Sequence, residues 1–138
     1  MDRVDALPSI IVVDDEQMNI EVMKAMIDDL GFSVDEASSG AEALQLFEQR
    51  IQKAMSGEAP MYRVVLLDYS MPLMDGPQVA RAIRTLCKDL DGHPAPFICC
   101  CTAYAEASFK RTALLSGMDE FMTKPVSQQE LQAVITKQ

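Results

Sequence analysis

Three aspartates stand just after short apolar runs. Asp14 and Asp15 follow Ile10–Val13, and Asp68 follows Val64–Leu67. Thr102 follows Phe97–Cys101, and Lys124 follows Glu120–Thr123 and precedes Pro125. If these runs are strands of one sheet, the five polar residues converge on one edge. Three crowded carboxylates repel one another and raise their pKa values unless a cation joins them. Donors that are all oxygen select a hard ion such as magnesium. Phosphoryl transfer needs a nucleophile, neutralising charge and hydrogen-bond donors. Asp68 can be the nucleophile, a metal ion and Lys124 can supply positive charge, and Thr102 can donate a hydrogen bond. Each signal is modest alone. Asp14 and Asp15 could cap a following helix, Asp68 could start a turn, and Lys124 taken singly reads as a solvated lysine. The combination carries the argument.

The segments between these residues supply the scaffold. Ile20, Met23, Ile27 and Leu30 have helical spacing, and Gly31 stands where a helix C-terminus belongs. Ser33 to Ala37 alternates like a strand. Leu44, Phe47 and Ile51 mark a second helix, and Ser56–Gly57–Glu58–Ala59–Pro60 reads as a loop. The region from Arg50 to Met61 is long for a connection and its role is not legible. Pro77 after Gly76 opens a third helix, with Val79, Ile83 and Leu86 as its stripe. A weaker helix is expected over 105–116, closed by Gly117. Ser127 and Glu130 have capping-box spacing before Leu131, Val134 and Ile135.

This alternation predicts an α/β fold: a five-stranded parallel sheet, doubly wound, in a single domain over 1–138 with its core at about 9–135. Asp35 and Glu36 mark the second strand as an edge, and Glu120 marks the fifth. The flavodoxin-like order 2-1-3-4-5 satisfies both. It also places a topological switch, where such sheets bind ligands, between strands one and three.

Composition narrows the function classes. A chain of 138 residues with 49% hydrophobic residues can build one packed core. Its net charge of −9 argues against direct nucleic-acid binding and fits a cation site or a basic partner. Cys87, Cys99, Cys100 and Cys101 have no zinc spacing, and adjacent strand cysteines cannot easily pair. They read as reduced, packed thiols in a cytoplasmic setting. No membrane segment and no secretory signal is expected, although the chain could belong to a larger, membrane-attached protein.

Val13–Asp14–Asp15–Glu16, the run from Leu66 to Gly76, Thr102–Ala103 and Lys124–Pro125 together resemble the response-regulator receiver family of two-component and phosphorelay signalling. The resemblance extends from about Ser9 to Ile135. It implies that Asp68 is the phosphoacceptor and a metal ligand, that Asp15 binds Mg2+ directly, and that Asp14 acts on the metal through water. It further implies a Ser70 backbone carbonyl on the metal, a Thr102 hydroxyl that moves to the phosphoryl group, and Lys124 as its ammonium partner. The bond before Pro125 is expected to be cis. Phe121 matches the switch aromatic. Ser70 and Tyr104 match the positions that govern water's access to the acyl phosphate.

The implied partners are a histidine kinase or a histidine phosphotransfer protein, donating from phosphohistidine. The domain would accelerate transfer and later its own dephosphorylation, so whether it counts as an enzyme is left open. A stand-alone regulator, a relay intermediate and the receiver of a hybrid histidine kinase are all compatible with the sequence; the phrase Leu67–Asp68–Tyr69–Ser70–Met71–Pro72 resembles the last. Among rivals, a haloacid-dehalogenase-type phosphohydrolase would want an acid/base aspartate where Ser70 stands. A pseudo-receiver would lack site residues that are present here, and a flavin carrier's phosphate would be repelled by the carboxylates.

Overall fold

The computed structural model describes residues 7–90, 92–103 and 106–137. Five strands and five helices alternate: β1 (Ile10–Val13), α1 (Gln17–Asp29), β2 (Asp35–Ala37), α2 (Gly40–Met55), β3 (Val64–Asp68), α3 (Gly76–Leu86), β4 (Phe97–Thr102), α4 (Ala107–Leu115), β5 (Glu120–Thr123) and α5 (Gln128–Thr136). All strand pairs are parallel, in the order β2-β1-β3-β4-β5. The acidic strands β2 and β5 are the edges, as their composition requires. The central strands β1 and β3 are buried at every residue.

Strand alternation divides the core into two layers. Ile11, Val13, Val65, Leu67, Ile98 and Cys100 face the layer that also holds Phe47, Val79 and Ile83 from α2 and α3. Ile10, Val12, Val64, Leu66, Cys99 and Cys101 face Ile20, Met23, Ile27, Leu131 and Val134 from α1 and α5. The cysteines are free, three of them buried, and burial pushes the Cys100 thiol up in pKa. They serve as small apolar core residues.

Several local expectations need correction. The second strand begins at Asp35, not Ser33, because the chain is still leaving α1. Gly31 takes φ +91°, the Phe32 N–H donates to the Ile27 carbonyl, and pairing with β1 starts at Ile11↔Asp35. The long region from Arg50 to Met61 begins as a continuation of helix, with α2 running to Met55 before Gly57 turns the chain. Its buried face is Ala43, Phe47, Arg50 and Ala54, while Leu44 and Ile51 are only partly buried. The fourth helix starts at Ala107, and its only buried residue is Ala113. Ala105 lies outside the described residues. The capping boxes form at Asp75/Gln78 on α3 and, as anticipated, at Ser127/Glu130 on α5.

Candidate functional site: an acidic cluster at the carboxyl edge

β1 and β3 are neighbours, and the chain leaves them on opposite sides of the sheet, α1 on one and α3 on the other. That divergence opens a crevice at their carboxyl ends. Asp14 is the first residue beyond β1. Its N–H extends the sheet by donating to the Ala37 carbonyl at 3.1 Å. Its Oδ1 accepts from the Glu16 N–H at 2.9 Å, which fixes the carboxylate at the entry to α1. Asp68 is the last residue of β3, in register with Cys101 of β4. The Tyr69 N–H donates to the Cys101 carbonyl, so the sheet holds the chain on both sides of the Asp68 side chain.

Asp14, Asp15 and Asp68 each offer a carboxylate oxygen within 4.8 Å of the others. Asp14 and Asp68 are buried, and Asp15 is exposed. Lys124 joins the two buried carboxylates, with its Nζ 2.8 Å from Asp14 Oδ2 and 3.0 Å from Asp68 Oδ1. The Lys124 N–H donates to the Thr102 carbonyl at 2.7 Å, and the Lys124–Pro125 bond is cis as expected. Thr102 ends β4, is 1% exposed and pairs with Thr123.

Burial pushes the Asp68 carboxyl up to about 6, and the charge of Asp14 adds to the shift. The hydrogen bond from Lys124 pulls the other way without cancelling it. For Lys124, burial opposes the charge, but hydrogen bonds to Asp14 and Asp68 outweigh it and hold the ammonium above its ordinary pKa. One ammonium therefore does not balance this cluster. The donors are carboxylate oxygens on two fixed strand ends, the chemistry a hard divalent cation requires, so Mg2+ fits the residues present.

The loop after β3 closes the site's other wall. Ser70 is exposed two residues beyond Asp68. Gly76 packs so closely that a Cβ there would stand 2.5 Å from the Asp68 carbonyl oxygen and 2.9 Å from Tyr69 Cα. Its N–H donates to the Tyr69 carbonyl at 2.8 Å. Phe121 on β5 is paired with Cys100, partly buried, and has Lys110 Nζ 5.5 Å from its ring centre. It stands beside β4, packed against the core layer that holds Leu67 and Cys100. Tyr104 lies outside the described residues. Beneath the cluster, a cavity of about 360 Å3 runs between α1 and the β5–α5 turn, lined by Val12, Met23, Leu66, Cys101 and Val126 among others.

A family model described as the response regulator receiver domain matches residues 10–136. This chain belongs to that family. The receiver is 33% identical over 130 residues to the sensor histidine kinase GacS of Pseudomonas protegens, covering 94% of this chain and 13% of that kinase. It is 35% identical over 131 residues to the hybrid signal transduction histidine kinase L of Dictyostelium discoideum, covering 95% of this chain and 7% of that protein. The chain thus spans only a small part of these kinases. Among solved structures, the receiver domain of the histidine kinase CKI1 from Arabidopsis thaliana, complexed with Mg2+ and BeF3−, is 29% identical with a TM-score of 0.81, covering 93% of this chain and 87% of that one.

Sequence reasoning missed a second polar cluster, remote from the receiver's acidic edge. Arg50 is buried on α2, donates to the Pro8 and Pro60 carbonyls and to Asp35 Oδ2, and lies 4.2 Å from the centre of the Tyr62 ring. The Tyr62 hydroxyl also donates to Asp35. The signal available was an arginine one position before Ile51, on the same side as Phe47.

Proposed function

We propose that this receiver takes a phosphoryl group from a phosphohistidine onto Asp68 and acts as a signalling switch. The observation that carries this reading is the bridge from Lys124 to Asp14 and Asp68, within a cluster of three carboxylates at the sheet's switch point. An Asp68 oxygen attacks phosphorus, the P–N bond breaks, and its electron pair returns to the histidine ring. An acyl phosphate remains on Asp68. Lys124 is positioned to stabilise a phosphoryl oxygen, and Thr102, at the end of β4 beside β3, carries the hydroxyl assigned to donate to another. Asp14, Asp15, Asp68 and the Ser70 carbonyl would hold Mg2+, which supplies charge neutralisation at the phosphoryl group. Hydrolysis ends the phosphorylated state: a water oxygen attacks phosphorus, the bond from phosphorus to the Asp68 oxygen breaks with its electron pair staying on the carboxylate, and the water gives up a proton as inorganic phosphate forms. Ser70 and Tyr104 are assigned to water access, and Thr102 with Phe121 to the switch.

The donor is a histidine kinase or histidine phosphotransfer protein. Full-length relatives that are histidine kinases favour a place within a hybrid kinase for this chain. No helix among the described residues is long and apolar enough to cross a membrane. The cytoplasmic location proposed for the domain, alone or within a larger, membrane-attached protein, rests on its free, packed cysteines. The test is labelling with acetyl phosphate and Mg2+. The wild-type receiver should gain one base-labile acyl phosphate, Asp68→Asn none, and Asp15→Ala should lose most Mg2+ affinity while remaining folded. Labelling of Asp68→Asn to the normal extent would overturn the reading.

A further inference from the structure

Leu73 lies in the loop between β3 and α3, five residues beyond Asp68, and two features set it apart. Its backbone is left-handed, with φ +70°. The Met74 N–H donates to the Pro72 carbonyl at 2.7 Å, which makes Leu73 the central residue of a three-residue γ-turn. A positive φ at that position defines the rarer, strained form of this turn, and leucine has no side-chain polar group to ease it. The side chain is also 105% exposed, the highest value for a large hydrophobic residue among those described. Leucine here gains nothing for the fold: its backbone is strained, and its apolar surface stays in water as it does in the unfolded chain. Glycine would relieve the strain, asparagine would ease it, and either would remove the exposed apolar surface.

Strain of this kind persists where the surroundings or a function maintain it. The turn sits between two fixed points, Asp68 at the end of β3 and Gly76 packed on the Asp68 carbonyl. A protein delivering a phosphoryl group to Asp68 would enter the crevice that this loop borders. Pro72 beside Leu73 is exposed as well. Across the crevice, Asp15, Glu16 and Glu21 are exposed at the start of α1, on a chain of net charge −9.

We propose that Leu73 is a docking anchor for the phosphodonor protein, received by an apolar pocket beside the donor's phosphohistidine and rimmed by basic side chains. This rests on the reading of Asp68 as the acceptor. The γ-turn holds the leucine away from its own protein, so little loop freedom is lost on docking. Burial in the partner removes a leucine's worth of apolar surface from water. Small phosphodonors do not touch the anchor.

The experiment compares wild type, Leu73→Asn and Leu73→Met with two donors. One is acetyl phosphate. The other is the fastest donor to wild type in a panel of phosphorylated histidine kinases and histidine phosphotransfer proteins. Leu73→Asn should lower kcat/KM with the protein donor by about tenfold or more, through KM. Its rate with acetyl phosphate should be unchanged, and it should melt roughly 2–4 °C higher. Leu73→Met keeps the apolar contact and should transfer within about twofold of wild type. Normal protein-donor transfer by Leu73→Asn would overturn the proposal. So would equal losses with both donors, which would assign Leu73 to loop geometry alone. If acetyl phosphate labels Asp68 but no phosphohistidine protein does, docking falls while the acceptor reading stands. If neither labels it, the acceptor reading itself fails.

Discussion

Lys124 Nζ lies 3.0 Å from Asp68 Oδ1, and yet the Asp68 carboxyl is held at about 6. Burial and the charge of Asp14 outweigh the ammonium. The carboxylate of Asp68 is therefore a destabilising element of the fold at neutral pH. A folded-state pKa above the unfolded value of 3.8 means that the native state binds more protons between these values. The contribution of Asp68 to stability is thus most favourable below about pH 4, falls as pH rises to about 6, and is flat beyond. Asp68→Asn lacks this dependence. Without Mg2+ at pH 7 it should be more stable than wild type by on the order of 1–2 kcal/mol, with the difference shrinking toward pH 4. Urea titrations of both proteins across pH 4–7 check this. Added Mg2+ should narrow the gap by stabilising wild type.

The Arg50 cluster ties β2, α2 and the segment before β3 to the start of β1. Arg50→Met fits the space but leaves two carbonyls and the Asp35 carboxylate short of donors. We expect a loss of about 2–4 kcal/mol in urea denaturation, with Mg2+ affinity within a factor of two of wild type. Replacing Asp35 by Asn in the same protein should recover part of the loss, because the unpaired charge is then gone.

The contrast between these two clusters shows what the sequence made legible. Asp14, Asp68, Thr102 and Lys124 are read from chain position alone, because each stands at the end of an apolar run and a parallel sheet gathers such ends at one edge. The edge strands were legible for a related reason: Asp35, Glu36 and Glu120 are too polar for a strand covered on both faces. Arg50 was not legible. Its pairing with Asp35 and the Pro8 carbonyl depends on how α2 lies across the sheet, and local periodicity does not encode that. Nor does spacing announce Leu73, since only the backbone angle separates it from an ordinary exposed leucine.

Gly76 should be irreplaceable for a geometric reason. The obstacles to a Cβ are backbone atoms of Asp68 and Tyr69, which cannot rotate away. Gly76→Ala must push the start of α3 from the end of β3. A loss of about 1–3 kcal/mol is expected in denaturant titration. The same displacement moves the loop carrying Ser70, so Mg2+ affinity should fall as well. Gly57→Ala is a useful control: its Cβ would meet nothing within 4 Å, so only its positive φ penalises it, and Mg2+ affinity should hold.

On the reading proposed for Asp68, α4 is the element placed to respond to phosphorylation. α4 has one buried residue, Ala113, and its N-cap Glu106 makes no side-chain capping bond. One of its contacts with the active-site loop is Phe109, packed edge-on against Tyr69 with ring centres 5.0 Å apart. Phe121 stands on the neighbouring strand, half-buried beside Cys100 and held under Lys110 of α4. A phosphoryl group on Asp68 would add charge within reach of Lys124 and, on the proposed reading, draw the Thr102 hydroxyl toward it. That displacement would free space behind β4, and Phe121 is the adjacent aromatic able to take it. With few buried contacts, α4 is the element whose population shifts most readily. BeF3− with Mg2+ should therefore perturb wild-type amide resonances from 106 to 123 as well as those beside Asp14, Asp15 and Asp68. Thr102→Ala keeps the nucleophile and the metal ligands, so it should still bind BeF3− and accept phosphate. Its perturbations should stop at the crevice and leave Phe109, Phe121 and their neighbours unmoved. Equal perturbation of α4 in both proteins would remove Thr102 from the coupling and leave Tyr69–Phe109 as the route from the site to α4.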